Sequence, residues 1–419
     1  MERASSLPAS LRSFAPTLFL LALSVLINYV DRGNLSLAAP LLKDELRISA
    51  SQLGILLSAF FWTYTLMHLV SGWLVDRFDA TLVIAAGFLA WTLATAATGL
   101  VQGFAMLMVM RFALGVGESV AFPACSKILA QHVPESFRGL ANAIVIAGMK
   151  CGPAVGTFVA GSLMAWYGWR PVFVWIGLAG LLWLPAWMRW RPRRPVFGGT
   201  PLRIRTIDIL RQGSFWGVSA GQFAANYALY LLVTWLPFYL VHERGLTMQV
   251  MARTAALLYL TDAAAAIITG FTTDFFIARG NSPTLVRKAA IATGHITAAM
   301  ALVLAGIAGD QTYMALLAVA AIGCGITSSG LYAFSQALAG PQVAGRWTGL
   351  QNGLANFAGV VGPALTGFVV DWTGRFQTAF VITAVVSVLG AACWVFGVGK
   401  LEQVAWVETL QARGVAPAR

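Results

Sequence analysis

The chain has 419 residues, of which 58% are apolar and only 11% charged, and its formal net charge is +12. Soluble domains carry roughly 25% charged residues. A chain this apolar has too little polar surface to cover a water-facing exterior, so the composition excludes an ordinary soluble protein and indicates lipid as the main solvent. The four cysteines lie in apolar stretches without metal-ligand spacing, so we expect no disulfide framework, no metal and no cofactor.

Twelve apolar stretches are long enough to cross a membrane as helices, which takes ~20 residues each. They lie at about 15–40, 53–76, 80–101, 104–130, 138–166, 170–190, 213–241, 250–278, 287–308, 312–338, 345–371 and 376–399. None has the period-two alternation of a barrel strand, and a helix satisfies its own backbone groups in lipid. The first stretch has no small-residue cleavage site, so we interpret it as a retained helix rather than a signal peptide.

The basic residues are distributed unevenly along this topology. With the N-terminus inside, most of the 28 lysines and arginines fall on the inner side. Only six fall on the outer side, namely Lys43, Arg47, Arg170, Arg244, Arg253 and Arg375. This excess follows the positive-inside rule and predicts both termini in the cytoplasm. It also accounts for the net charge without a nucleic-acid partner.

A basic stretch with three prolines divides the chain near its middle. The predicted organisation is an N-terminal six-helix bundle at 1–190, a cytoplasmic linker at 191–212, a C-terminal six-helix bundle at 213–399 and a cytoplasmic tail at 400–419. Paired motifs support two related halves, since Gly152-Pro153 in span five is echoed by Gly362-Pro363 in span eleven. The predicted fold class is therefore an all-α membrane protein with twelve transmembrane helices in two pseudo-symmetric bundles, an architecture typical of secondary transporters.

Six ionisable residues lie inside the predicted spans, three acidic and three basic: Asp31, Arg32, Arg111, Glu118, Lys150 and Asp262. Charges are costly in lipid, so we expect them to face a cavity or the bundle interior. Arg111 and Glu118 are seven residues apart and therefore share one helix face. An anion that competes for a paired arginine would leave the carboxylate to take up a proton. This predicts Asp31 and Glu118 as proton-coupling residues and Arg32 and Arg111 as anion-binding residues; the alternative is permanent ion pairs that fix helix register.

Lys150 lies mid-span between Gly148 and Gly152, too deep to extend its amine to the interface. We expect it to contact a substrate carboxylate, with a structural pairing to a buried acid as the alternative. Asp262 has the simpler alternative of a helix-packing hydrogen bond. Tyrosines and amides at the same depth suit a hydroxylated ligand, although single tyrosines also serve as interfacial anchors. The predicted substrate-binding set therefore also contains Tyr29, Tyr64, Asn226, Tyr227, Gln351 and Asn352.

Three motifs resemble those of one transporter family. Asn28-Tyr29-Val30-Asp31-Arg32 resembles the first-helix signature of the anion:cation symporter family, within the major facilitator superfamily. The segment from Arg111 to Glu118, with Gly115 and Gly117 inside it, is similar to that family's fourth-helix motif. Thr234-Trp235-Leu236-Pro237 is similar to part of its seventh-helix pattern. The resemblance extends over nearly the whole chain.

The resemblance implies a function and assigns residues to it. Bacterial members of the family take up sugar acids such as hexonates and hexuronates together with protons. The family's protonatable carboxylates correspond to Asp31 and Glu118, its cavity arginines to Arg32 and Arg111, and its cavity tyrosines to Tyr29 and Tyr64. The implied partners are a small organic anion, protons and the bilayer of a plasma (bacterial inner) membrane. A monomer suffices, because one chain contains both halves.

Two positions depart from the family pattern. The loop after span two, which acts as an intracellular gate in the superfamily, contains Asp76 and Arg77 but lacks the usual second glycine and further basic residues. We expect Asp76 and Arg77 to be the gating residues. Lys150 stands where sugar-acid members more often carry a neutral polar residue, which favours a second acidic group on the substrate or a different aromatic or dicarboxylic acid.

Two other functions are alternatives to symport. An exchanger or efflux carrier for aromatic or dicarboxylic acids would use the same fold, because gradients rather than sequence set the direction of transport. A membrane enzyme is disfavoured, since the chain has no P-loop, no His-Glu-x-x-His and no Gly-x-Ser-x-Gly. Its four histidines are scattered, mostly near the predicted span ends.

Overall fold

A computed structural model of the chain describes residues 9–193, 205–340 and 343–406. Within these ranges it describes the backbone but not the side chains of residues 9–13, 69, 76, 135, 136, 139, 332 and 344. The described residues form helices and connecting turns, and twelve helical segments among them are long and apolar enough to cross a membrane. The predicted all-α class and its twelve spans are confirmed.

The helices follow one another with short connections. The first eight are α1 (Ala9–Leu46), α2 (Ala50–Arg77), α3 (Ala80–Thr98), α4 (Phe104–Glu118), α5 (Ala121–His132), α6 (Glu135–Tyr167), α7 (Trp169–Gly180) and α8 (Trp183–Trp190). The next seven are α9 (Thr206–Leu210), α10 (Gly213–Phe238), α11 (Met248–Ala278), α12 (Pro283–Ile307), α13 (Tyr313–Ala339), α14 (Ala344–Thr373) and α15 (Gln377–Ala392). Single π-helical turns, Tyr239–Glu243 and Cys393–Gly397, extend α10 and α15. The pairs α4–α5 and α7–α8 each form one span.

The chain divides into two compact units. The first consists of Met1–Leu46, Trp62–Gly199 and Met248–Ala256, and the second of Arg47–Phe61, Thr200–Thr247 and Leu257–Arg419. The first turns of α2 thus belong to the second unit, and those of α11 to the first. The predicted bundles at 1–190 and 213–399 stay a prediction. Residues 194–204 of the predicted linker and 407–419 of the predicted tail lie outside the described residues.

Large apolar side chains stand on the outer faces of the helices. Phe271 and Leu257 on α11 are 76% and 64% exposed, and Phe396 beyond α15 is 85% exposed. Soluble monomers rarely expose so many large apolar side chains together. The exterior therefore fits a hydrocarbon solvent, as the composition predicts.

A stripe of glycines brings α6 against α1 in the first unit. Gly148, Gly152 and Gly156 recur every four residues, which places them on one face of α6. A Cβ on Gly152 would lie 2.6 Å from the Cβ of Tyr29, and one on Gly156 would lie 3.1 Å from the Cα of Val30. The absence of side chains lets the two backbones approach closely, as in other membrane helix pairs. This contact fixes the part of α1 that carries Asp31 and Arg32.

The N-terminus of α2 is capped from two sides. Ser49 and Gln52 form a reciprocal capping box, in which the Ser49 amide donates to Gln52 Oε1 (2.9 Å) and the Gln52 amide donates to Ser49 Oγ (3.1 Å). Asp371 on α14 accepts the two intervening amides, from Ala50 (2.9 Å) and Ser51 (2.7 Å), and also the Ser51 hydroxyl. The first amides of α2, which have no intrahelical partner, are thus satisfied.

We expect Asp371→Ala to lower the free energy of unfolding by about 1 kcal/mol, because two helix amides lose their acceptor. Asp371→Asn should lower the free energy of unfolding by less, since one side-chain oxygen remains to accept a hydrogen bond from a helix amide. The measurement is the thermal unfolding midpoint in detergent. Glu402→Ala, at an exposed carboxylate of the same unit, is the control. Equal midpoints for Asp371→Ala and Glu402→Ala would show that the cap contributes nothing.

Candidate functional site

A buried ion pair joins α1 to α4 in the first unit. Arg32 donates to Oε2 of Glu118 from Nε (3.2 Å) and from Nη2 (3.0 Å), and the two side chains are 6% and 0% exposed. Nη2 also donates to the side-chain oxygen of Asn28 at 3.3 Å. Both Arg32 donors converge on one carboxylate oxygen. Oε1 of Glu118 is buried, and no hydrogen-bond partner for it lies among the described residues.

Two tyrosine rings flank the Arg32 guanidinium. Its central carbon lies 4.6 Å from the ring centroid of Tyr29, one turn earlier on α1, and 4.6 Å from that of Tyr64 on α2. Both distances are within the range of a cation–π interaction. Arg32 is therefore held by one carboxylate and two aromatic faces. The rings can keep a desolvated cation in place while its anionic partner changes.

The second arginine and the second carboxylate lie close by. Arg111 is 4% exposed and within electrostatic range of both Glu118 and Arg32. Asp31 is 2% exposed, lies beside Thr95 of α3 and is within electrostatic range of Glu118. The structure thus brings together the four charged residues that the sequence singles out on α1 and α4. With both carboxylates ionised, their formal charges cancel.

The close approach of α3 and α4 sets the position of Glu118. A Cβ on Gly117 would lie 2.8 Å from the backbone nitrogen of Trp91 and 3.0 Å from the carbonyl oxygen of Gly87. Only a residue without a side chain fits there without displacing α3. Glu118 follows directly and its side chain points to α1 instead.

Lys150 lies on a different face of α6 from the contact with α1. It is half-buried and about 200° around the helix from Gly148. Ala154, Thr157 and Gly161 lie on the same face of α6 as Lys150. A Cβ on Gly161 would lie 2.7 Å from the Cβ of Ala252 on α11. The predicted contact of Lys150 with a substrate carboxylate stays a prediction.

In the second unit, two predicted substrate-binding amides belong to a hydrogen-bonded network. Gln351 on α14 donates to Oε1 of Gln222 (2.6 Å) and accepts from Nε1 of Trp347 (3.1 Å). Gln222 on α10 donates in turn to Oδ1 of Asn352 (3.2 Å). Gln351 is fully buried, and both ends of its amide are occupied. A ligand could reach it only by displacing one of these bonds, whereas Asn352 is more accessible.

The two predicted α10 residues next to this network differ in their surroundings. Tyr227 is buried, and the Cβ position of Gly362 lies 3.5 Å from its ring. Asn226 is half-buried. Each Gly-Pro pair thus accommodates a predicted site tyrosine within its own unit, Gly152 against Tyr29 and Gly362 against Tyr227. This is a structural counterpart of the motif repeat.

The predicted gating residues lie at the C-terminal end of α2. The side chain of Asp76 is outside the described residues, and Arg77 is exposed. Nζ of Lys127 on α5 donates to the carbonyl oxygen of Val75 at 2.5 Å. A lysine there satisfies one of the last carbonyls of α2 and its charge suits the negative end of the helix. A gating role for Asp76 and Arg77 stays a prediction.

Sequence reasoning missed two polar residues, His68 and Gln222. The His68 ring centroid lies 4.8 Å from that of Tyr64, one turn earlier on α2. The spacing of four residues from Tyr64 was the available signal, because residues four apart lie on the same side of a helix. Gln222 is four residues before Asn226, which places it near the same face of α10.

Comparisons with known proteins agree with this architecture. The model of the Major Facilitator Superfamily matches residues 21–286 and 254–413. The chain is 28% identical over 390 residues to the hexuronate transporter of Bacillus subtilis, covering 90% of this chain and 92% of the relative. It is 28% identical over 414 residues to the "Probable galactarate/D-glucarate transporter GarP" of Escherichia coli K12, covering 90% and 93%. A bacterial homologue of the human lysosomal transporter Spinster, solved inward-facing and occupied, has the same fold, with a TM-score of 0.79, 20% identity and coverage of 94% and 97%.

A double-mutant cycle on Arg32→Met and Glu118→Gln should give a coupling free energy of about 1–3 kcal/mol, because each single change leaves a buried polar partner without its counterpart. The measurement is the unfolding free energy of the parent, both single variants and the double variant in detergent. The matched control is the cycle on Arg170→Met and Glu45→Gln, a pair 2.7 Å apart whose side chains are 30% and 43% exposed. Its coupling should stay below about 1 kcal/mol. Additive effects at the buried pair would contradict the prediction.

Proposed function

Because the chain belongs to the Major Facilitator Superfamily and is a membrane transporter rather than an enzyme, we propose that it is a proton-coupled symporter of small organic anions. The preferred substrates are sugar acids such as hexonates or hexuronates, carried by alternating access. The observation that carries the proposal is the buried Arg32–Glu118 pair, with one oxygen of Glu118 left without a hydrogen-bond partner among the described residues.

Charge balance supports the coupling of anion and proton. Arg32, Arg111, Asp31 and Glu118 are neutral as a set when both carboxylates are ionised. A bound monoanion would leave one uncompensated negative charge in a region of low dielectric, where such a charge is costly. Uptake of one proton by a carboxylate removes that cost. Binding of the anion therefore favours binding of the proton, and each favours the other by the same free energy.

The geometry of the pair suggests how the exchange begins. Both Arg32 bonds end on Oε2 of Glu118, so a proton can be added at Oε1 without first displacing the guanidinium. A neutral carboxyl group attracts Arg32 less strongly, and Arg32 then becomes available to the substrate carboxylate, which it can bind in bidentate geometry. The flanking rings of Tyr29 and Tyr64 hold the guanidinium during this change. Asp31 is the second proton carrier of the proposal.

The proposed substrate class follows from the polar groups and the relatives. Tyrosine hydroxyls and the amides of Asn226 and Asn352 suit the hydroxyl groups of a sugar acid. The two curated relatives are named for a hexuronate and for galactarate/D-glucarate. Lys150 adds a cation in the first unit, which suits a substrate with a second carboxylate. The alternative is organic-anion exchange, including exchange of dicarboxylic acids. Transport measurements must distinguish it from proton-coupled symport.

The remaining parts of the proposal concern location and assembly. The charge distribution supports cytoplasmic termini in a plasma membrane, or the inner membrane of a bacterium. The described residues of one chain contain twelve candidate spans, so a monomer would suffice for transport. Asp76 and Arg77 are the proposed gating residues at the inner end of α2.

Proteoliposomes with an inward proton gradient should accumulate one acid from a panel of labelled galactonate, glucuronate, glucarate and a hydroxyphenyl acid. Glu118→Gln should lose accumulation but retain counterflow exchange, because the amide keeps the shape of the carboxyl group without carrying a proton. Glu45→Gln, at the exposed pair with Arg170, is the matched control and should accumulate substrate as the parent does. No proton-dependent uptake of any acid, with Glu118→Gln behaving like the parent, would refute symport. Parent exchange without accumulation would favour the exchanger.

Lys150→Gln should raise the KM for glucarate about tenfold while changing that for glucuronate less than about threefold, since one charge-assisted contact is lost only with the dicarboxylate. The measurement is initial uptake at increasing concentrations of each acid. Arg189→Gln, which removes an exposed cation on α8 of the same unit, is the control. Equal changes of the KM for both acids would show that Lys150 does not bind the second carboxylate.

A further inference from the structure

His68 extends the polar cluster around Arg32 along α2. Its ring lies one turn beyond Tyr64, with the ring centroids 4.8 Å apart, and Tyr64 itself covers the Arg32 guanidinium. His68 is within electrostatic range of Arg32. Its Nδ1 atom is buried, and no hydrogen-bond partner for it lies among the described residues. A buried imidazole nitrogen in this position has capacity for a proton, a water or a ligand.

A pair of hydroxyl groups lies beyond His68 toward the C-terminal end of α2. Ser71 is three residues beyond His68 and therefore lies on the same side of the helix. Its Oγ is 2.8 Å from the Oγ of Ser119, which directly follows Glu118. The α2 helix ends at Arg77, on the predicted inner side. Polar groups thus lead from the ion pair past Tyr64 and His68 to the Ser71–Ser119 pair, in the direction of the cytoplasm.

We propose that His68 relays the proton between Glu118 and the inner solution. The inference rests on the proposed symport. A neutral imidazole has one nitrogen that accepts and one that donates. It can therefore take a proton on one side and release another on the other side, and it starts and ends neutral.

The Glu118 carboxyl O–H bond breaks, its electron pair stays on the carboxylate, and an N–H bond forms at the accepting nitrogen of His68, directly or through the Tyr64 hydroxyl or a water. The N–H bond at the other nitrogen breaks, and that proton passes through water to the inside. His68 is then the other tautomer, and a flip of its ring restores the starting state before the next cycle. Glu118 is left ionised and attracts Arg32 again. This removes Arg32 from the substrate carboxylate and favours release of the anion on the same side.

Two other roles for His68 lead to different kinetics. A His68 that binds a substrate hydroxyl would contribute to affinity in every transport mode. A His68 that only packs against Tyr64 would affect the stability of the protein and all transport modes together. A relay affects only those modes in which a proton must be delivered, because counterflow exchange of substrate requires no net proton movement.

The test compares the parent with His68→Gln in proteoliposomes. Glutamine keeps a donor and an acceptor but cannot pass on a proton. We expect the maximal rate of proton-driven uptake to fall about tenfold, less than the full ~10²–10⁴-fold contribution of a positioned acid–base group because water partly substitutes for it. Counterflow exchange and its KM should stay within about twofold of the parent, since binding is unchanged. His242→Gln, at a histidine stacked on Phe238 in the second unit, is the matched control and should leave both modes unchanged.

A solvent isotope measurement separates a relay from a structural defect. If proton transfer limits His68→Gln, its uptake should slow more in D₂O than that of the parent, whereas a misfolded fraction would leave the ratio unchanged. Normal proton-driven uptake in His68→Gln, a raised exchange KM, or equal loss of both modes would each overturn the relay while leaving symport standing. Absence of proton-driven uptake in the parent would refute symport and the relay together.

Discussion

A guanidinium and a carboxylate buried against each other cannot be altered independently. Removing one partner of such a pair typically costs about 3–5 kcal/mol, because the other charge is left without compensation. The pair Arg32–Glu118 is subject to this constraint, since both side chains are almost fully buried. Any process that takes Arg32 from Glu118 must supply a new anion to the arginine and a proton to the carboxylate.

The helix packing serves to hold this pair in place. Glycines on α6 bring α1 into close contact, and Gly117 brings α4 against α3, so that the two charged side chains meet from fixed backbones. In the second unit, the amides of Gln222, Gln351 and Asn352 on α10 and α14 are neutral and bond to one another. The network also restrains Gln351, which leaves Asn352 as the more adaptable of the two predicted amides.

The sequence predicts the spans and the central charges well, because an ionisable residue inside a long apolar stretch is costly and therefore conspicuous. It does not predict His68 or Gln222, since an uncharged polar residue inside a span costs much less than a charged one and its direction depends on the rotation of the helix. The sequence alone also does not predict which face of α6 carries Lys150 relative to α1, because that depends on the contacts of α6. Asp371 caps a helix 321 residues away in the chain, and no local pattern carries that information.

The number of protons taken up when the anion binds tests the proposed coupling directly. Titration calorimetry of the detergent-solubilised protein with its acid, repeated in buffers of different ionisation enthalpy, gives the number of protons bound per substrate. We expect uptake of about one proton per substrate carboxylate at a pH where the carboxyl groups of the free protein are ionised, and a clear reduction in Glu118→Gln. Binding of the anion with no proton uptake, in buffers spanning that pH range, would contradict it.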